Sequence, residues 1–260
     1  LVIFPAAIVL AEESENETAS TTPEEIVEDV PTETPGETLP PPVSIHLSIE
    51  TSTTTLFKNN LIVNACAPLG TTTPSVNGYC AILQSGLEAD WSTFGDDSFL
   101  NSVGGASNDF GNNLFWLWFE DLNLGAVALN KHILSENEEI LVTIGRMPLK
   151  ISVSTATPPV SSEMGVEISE FGFDSFFSPV YLPSASSGVI FGENSTSTDE
   201  SGIATILITS TSTFSIRGIK NNFLDSASIL ISPVEADLAE SGTTTATSTE
   251  EAPPPPPENQ

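Results

Sequence analysis

The chain has 260 residues and carries 35 acidic side chains against 6 Lys and Arg, a formal net charge of −29. Such a surplus repels nucleic-acid phosphates and anionic membrane surfaces, so nucleic-acid binding is excluded as a function class. The charge gathers at the ends: Glu12 to Glu37 holds ten acids and Glu235 to Glu258 holds six, with no base in either, while all six bases lie between Lys58 and Lys220.

Residues 1–11 are apolar and end in Val9-Leu10-Ala11 before Glu12-Glu13. They read as the apolar core and small-residue cleavage site of a signal peptide lacking its basic start, which points to export; a retained lipid anchor is the competing reading. Eleven residues fall short of the roughly 20 that a helix needs to cross a bilayer. Residues 12–42 are acidic, Thr/Pro-rich and free of aromatics, a composition that buries too little apolar surface to offset the entropy of ordering. A disordered linker is expected there, and a second one over 234–260. The tail carries a polyproline run, Pro253 to Pro257, of the kind that separates two modules. Further domains of the same polypeptide are therefore expected beyond Gln260, and the whole is expected at the cell envelope or outside the cell.

Between the ends the pattern is that of strands. Val43-Ser-Ile45-His-Leu47-Ser-Ile49 alternates with period two, and Leu61-Ile-Val63 is a second β-rich run. Cys66 and Cys80 flank the turn-rich stretch Pro68 to Gly78. In an oxidising compartment they read as a disulfide closing a loop of about 15 residues, a contribution of roughly 3 kcal/mol in the chain-entropy picture. Two buried thiols are the alternative, and without a nearby His pair the cysteines make a poor zinc site. Ser75 to Ser85 and Phe94 to Ser102 are the places for short helices. Strands follow at Ile140 to Ile144 and Leu149 to Val153 with Gly145 to Pro148 as the turn between them, then at 165–168, 187–191, 203–208, 214–219 and 227–231. Strands at this spacing suggest a small sandwich. The spacing predicts a mainly β chain with one module over 43–154, a short linker at 155–162 around Pro158-Pro159, and a second module over 163–233.

The block from Cys66 to Ile151 holds both cysteines and all three tryptophans. Phe115-Trp116-Leu117-Trp118-Phe119, read as a strand, puts Trp116 and Trp118 on one face and three apolar residues on the other. One face belongs to the core; the other is either covered or an exposed aromatic platform for a flat ligand such as a sugar ring or corrin. Trp91, flanked by Glu88 and Asp90, carries the same two readings. Trp91, Trp116 and Trp118 are the candidate ligand-binding residues, for a glycan or other small molecule. No catalytic residue is assigned, because no Gly-x-Ser-x-Gly elbow, His-Glu-x-x-His or phosphate-cradling loop occurs and the only histidines are His46 and His132. Adjacent carboxylates such as Asp96-Asp97 and Glu138-Glu139 alternate in direction along a strand and are expected to be solvated. A calcium site near Asp96, Asp97 and Asp109 stays open as an alternative, although the twelve-residue loop pattern is missing; no metal ligand is assigned.

Tyr79 to Gln84, Trp91, Phe115 to Phe119, Ala128 to Leu134 and Glu138 to Gly145 together resemble the C-terminal domain of transcobalamin and intrinsic factor as it recurs in bacterial exported proteins. The resemblance covers about residues 43–153. It implies a compact β-grasp-like module that, in the animal transport proteins, caps one face of cobalamin beside a helical domain, so cobalamin is one expected ligand. Asn137-Glu138 stands where that family has Gly-Asp, and Asp121 to Gly125 replaces its Asn-Gly turn. Thr198 to Ala204 and Phe214 to Phe223 resemble transthyretin-like and Ig-like modules of bacterial surface proteins, which implies a spacer. The expected function is a non-enzymatic, exported ligand-binding or adhesion module, with a structural stalk and a cobalamin cap as alternatives.

Overall fold

A computed structural model describes residues 39–236. The expected signal peptide at 1–11, the linker up to residue 38 and the tail from residue 237 lie outside the described residues. Among the described residues the fold is mainly β, with one short α-helix, as the alternating patterns require.

The first core is a helix laid on a mixed sheet. Its elements are β1 (Val43–Glu50), β2 (Thr55–Val63), α1 (Gly78–Gln84), β3 (Ala89–Phe94), β4 (Asp97–Val103), β5 (Ala106–Ser107), β6 (Leu117–Glu120), β7 (Asn123–Leu124) and β8 (Glu139–Thr143). The sheet order is β2-β1-β8-β6-β7, with β1 and β8 parallel at the centre. Alternation in β1 sends Ile45, Leu47 and Ile49 to the face shared with Ile140, Val142 and Trp118, and α1 covers that face with Tyr79, Ala81 and Ile82. Burying each such aliphatic side chain contributes about 1.5–3 kcal/mol. α1 begins where the Asn77 side chain accepts the Cys80 N–H at 3.0 Å, and ends where Ser85 Oγ donates to the Ile82 carbonyl ahead of Gly86 at φ +79°. Cys80 is fully buried and joined by a disulfide to Cys66, Cα–Cα 5.8 Å, which ties the helix to the loop after β2.

Residues 94–102 differ from the expected helix. They form a hairpin in which β3 and β4 pair around Gly95 at φ +60°, and the period-two burial of Ser98 and Leu100 against exposed Phe99 is that of a strand. β4 also pairs with β5, giving a separate three-stranded sheet.

The second core is a sandwich. It comprises β9 (Met147–Val153), β10 (Glu163–Phe173), β11 (Pro179–Pro183), β12 (Gly188–Phe191), β13 (Asn194–Ser197), β14 (Ile203–Leu207), β15 (Phe214–Ile219), β16 (Phe223–Leu224) and β17 (Ile229–Ile231). One sheet runs β11-β10-β9-β16, with β14 on the first half of β10; the other runs β13-β12-β15-β17. Met164, Val166, Ile168 and Ile206 of the first meet Val189, Ile216 and Ile231 of the second. β9, expected with the first module, pairs instead with β10, and its Leu149 is buried in the second core. The Pro158-Pro159 segment is a loop of that core, since Val160 donates to Val234 and Ser232 donates to Ala156. The chain passes from one core to the other at Ile144–Arg146.

The two cores are held together at that passage and by an aromatic contact. Arg146 donates to the Thr51 carbonyl (2.8 Å) and to the buried Glu50 carboxylate (3.3 Å), which also accepts from Ser48 and Thr55. Phe119, on the opposite face of β6 from Trp118, meets Phe171 edge to face at 4.9 Å. Tyr181 pairs across the strands with Phe171 and donates its hydroxyl to the Leu122 carbonyl at 2.7 Å. Burial pushes its phenol up to about 12.

Candidate functional site

None of the three tryptophans forms an exposed platform. Trp118 is buried in the first core, its indole N–H donating to the Val127 carbonyl at 3.0 Å. Gly125 lies flat on the ring, where an added Cβ would fall 1.9 Å from Cε2, so only glycine lets the 125–134 loop close there. Trp116 is half-buried and donates to the Ala106 carbonyl at 3.3 Å. Trp91 is half-buried against Tyr79, ring centroids 4.7 Å apart. Both faces of β6 are apolar because both are covered, one by α1 and the 125–134 loop, the other by Phe171.

Among the described residues the exposed aromatics are phenylalanines, which strand parity alone does not single out. Phe94 and Phe99 are 82% and 48% exposed. In the β3–β4 register Ser92 faces Phe99 and Phe94 faces Asp97, so the two rings are diagonal neighbours on one face, while Trp91 and Leu100 take the other. The same outer face carries a polar chain in which Ser92 donates to Asn101 at 3.1 Å and Asn101 donates to Asp90 at 3.1 Å. Phe110 and Phe115, in edge contact at 5.3 Å, are exposed on the loop that follows β5. On the inner face Trp91 Nε1 and Ser98 Oγ are buried without hydrogen-bond partners.

A polar cleft of about 440 Å³ opens between the cores, lined by His46, Ser48 and Lys58 of the first sheet, by Arg146, and by Glu139 and Asp225. Arg146 is already committed to Glu50 and Thr51. His46 Nδ1 lies 3.0 Å from the Asn60 side-chain oxygen, on the polar face that alternation assigns it.

In the second core Lys220 bonds Glu170, and both contact Ser184, which is fully buried. Burial alone would raise the Glu170 carboxyl, yet the Lys220 and Ser184 hydrogen bonds outweigh it and hold the group below its ordinary value. A lysine ion-paired with a carboxylate beside an inaccessible serine is a structural tie rather than a nucleophile with its base.

Glu138 is not solvated, contrary to expectation. It is buried just ahead of β8, where its Oε2 accepts the Ser135 N–H at 2.7 Å and its Oε1 meets His132 Nε2. Of the adjacent pair, Glu139 takes the outward direction and Glu138 the inward one. The His132 ring packs against Trp118 at a tilt of 43°, centroids 4.6 Å apart, and its other ring nitrogen faces Glu120 at 4.0 Å. Among the described residues, Glu120, His132 and Glu138 are the grouping of metal-binding type, with ligand atoms within 4.8 Å of one another. Asp96, Asp97 and Asp109 do not converge: Asp96 lies 4.0 Å from Lys131, and Asp109 caps its own turn by accepting from Gly111 and Asn112. No protein-family model matches the chain, and no curated protein matches it.

Proposed function

We propose that this chain is a non-enzymatic, exported binding module whose contact surface is the outer face of β3–β4 and whose ligand is a glycan. The carrying observation is the exposure of Phe94 and Phe99 beside Asp90, Ser92 and Asn101 while every tryptophan is packed inward. Neighbouring exposed rings form an apolar patch, and such patches mark contact surfaces. An apolar ring beside a carboxylate, an amide and a hydroxyl suits a sugar, whose C–H face stacks while its hydroxyls hydrogen-bond. The disulfide between Cys66 and Cys80 supports the oxidising compartment that export provides. The order β2-β1-β8-β6, with the first and last strands parallel at the centre under a helix, supports a β-grasp-like reading of the first core. The second core acts as a spacer that carries it. The full chain is expected to bind saturably to one class within a glycan panel, with binding lost in Phe94→Ala/Phe99→Ala at unchanged circular dichroism. Binding by that variant at wild-type affinity would overturn the assignment. A structural stalk is the second reading, favoured by the burial of the tryptophans and by the tight junction at Arg146, Phe171 and Tyr181; absence of binding across the panel would support it.

A further inference from the structure

We propose a divalent transition-metal site at His132 Nδ1 and Glu120, with Glu138 as the positioning residue behind it. His132 is fixed on three sides. Its main-chain carbonyl accepts the Gly78 N–H at 3.1 Å, its ring packs tilted against Trp118 at 4.6 Å, and its Nε2 meets the Glu138 carboxylate. That carboxylate is itself held by the Ser135 N–H at 2.7 Å, and its side chain is only 4% exposed. A buried carboxylate on Nε2 makes that nitrogen the donor, so in the neutral imidazole the Nδ1 lone pair is the free acceptor. Nδ1 faces not a donor but a second carboxylate, Glu120 Oε2, at 4.0 Å, too far for a hydrogen bond. A lone pair and an anion facing each other across a gap form a site for a cation. Two ligands on a tetrahedral ion with bonds of about 2.0–2.1 Å stand about 3.3 Å apart, so closing the gap takes a shift of under about 1 Å.

Glu120 can supply that shift. Its side chain is 48% exposed at the end of β6, so it can swing while His132 stays fixed, and it leaves the ion open to water for its remaining positions. A metal-bound imidazole whose other nitrogen donates to a carboxylate is the recurrent arrangement, and loss of that outer carboxylate typically weakens binding 10–100-fold. Imidazole with carboxylate selects ions of the zinc, copper and nickel type over calcium.

The full chain would be titrated with Cu²⁺ at 0.15 M salt while tryptophan fluorescence is read, because Trp118 touches the ligand ring and a bound Cu²⁺ quenches it. Zn²⁺ would be titrated in parallel by calorimetry. One saturable site is expected. It should be lost in Glu120→Gln, a surface change that leaves the fold intact, and in His132→Gln. Glu138→Gln should weaken it by about tenfold or more without abolishing it. Weak, non-saturating binding to the many surface carboxylates would persist in all variants and leave Trp118 emission unchanged. Saturable quenching that survives Glu120→Gln, or no saturable quenching in the wild-type chain, would overturn the proposal.

Discussion

In the first core a seven-residue helix, a disulfide and long loops hold buried Asn77, Asn130 and Glu138 in fixed positions, whereas the second core closes two sheets on alternating Ile, Val and Met side chains and buries only hydroxyl-bearing polar residues. Asn77 caps α1, and Asn130 joins the Ser98 N–H to the Asp96 carbonyl, so these amides organise irregular backbone that no sheet ladder satisfies. A core built this way can carry side chains that repeating strands do not place. The candidate contact face and the Glu120–His132–Glu138 cluster both lie in it. The second core is the more regular of the two, its sheets closing on alternating aliphatic side chains.

The contrast can be broken first at the disulfide. Cys66→Ser/Cys80→Ser is expected to lose about 3 kcal/mol in urea unfolding by the chain-entropy estimate. If it costs nothing, the first core does not depend on its crosslink. Next comes a pair of glycines. An added Cβ at Gly125 meets the rigid Trp118 ring at 1.9 Å, whereas at Gly218 it meets the flexible Ile168 Cδ1 at 2.6 Å. Gly125→Ala should therefore cost about 3 kcal/mol and Gly218→Ala about 1 kcal/mol, measured as shifts in urea midpoint. Equal costs would show that the two cores yield alike. An effect as small as that of Gly218→Ala is expected at the junction. Tyr181→Phe removes one hydrogen bond to Leu122, a loss of about 1 kcal/mol. Because the folded phenol is raised from 10.0 to about 12, its contribution is complete below the unfolded value and disappears as pH rises from 10 to 12. The phenylalanine variant should lose less stability than the wild type over that interval.

Much of this organisation is legible in the residues. Period-two alternation in Val43 to Ile49 sets both the strand and its buried face, and Cys66 and Cys80 bracket a turn-rich loop short enough to close. Other features depend on tertiary context. Strand parity places Trp116 and Trp118 together but says nothing of what lies over them, and it is the close approach of Gly125 that buries Trp118. The segment holding Phe94 and Phe99 reads as a short helix because the turn at Gly95 splits it into two strands too short to show a long alternating run. Glu138 looks solvated beside Glu139, and only the return of the 128–134 loop brings His132 to it. The Pro158-Pro159 pair marks a real loop, yet one inside a core rather than between two, because pairing partners of β9 lie later in the chain.

The most direct measurement pairs glycan titration of the full chain with acrylamide quenching of its tryptophans. If Phe94 and Phe99 form the contact face, binding saturates while tryptophan emission stays blue-shifted and weakly quenched with and without glycan. Strongly quenched tryptophans that become protected as glycan binds would put the contact face on Trp91, Trp116 and Trp118 and contradict the packing described above.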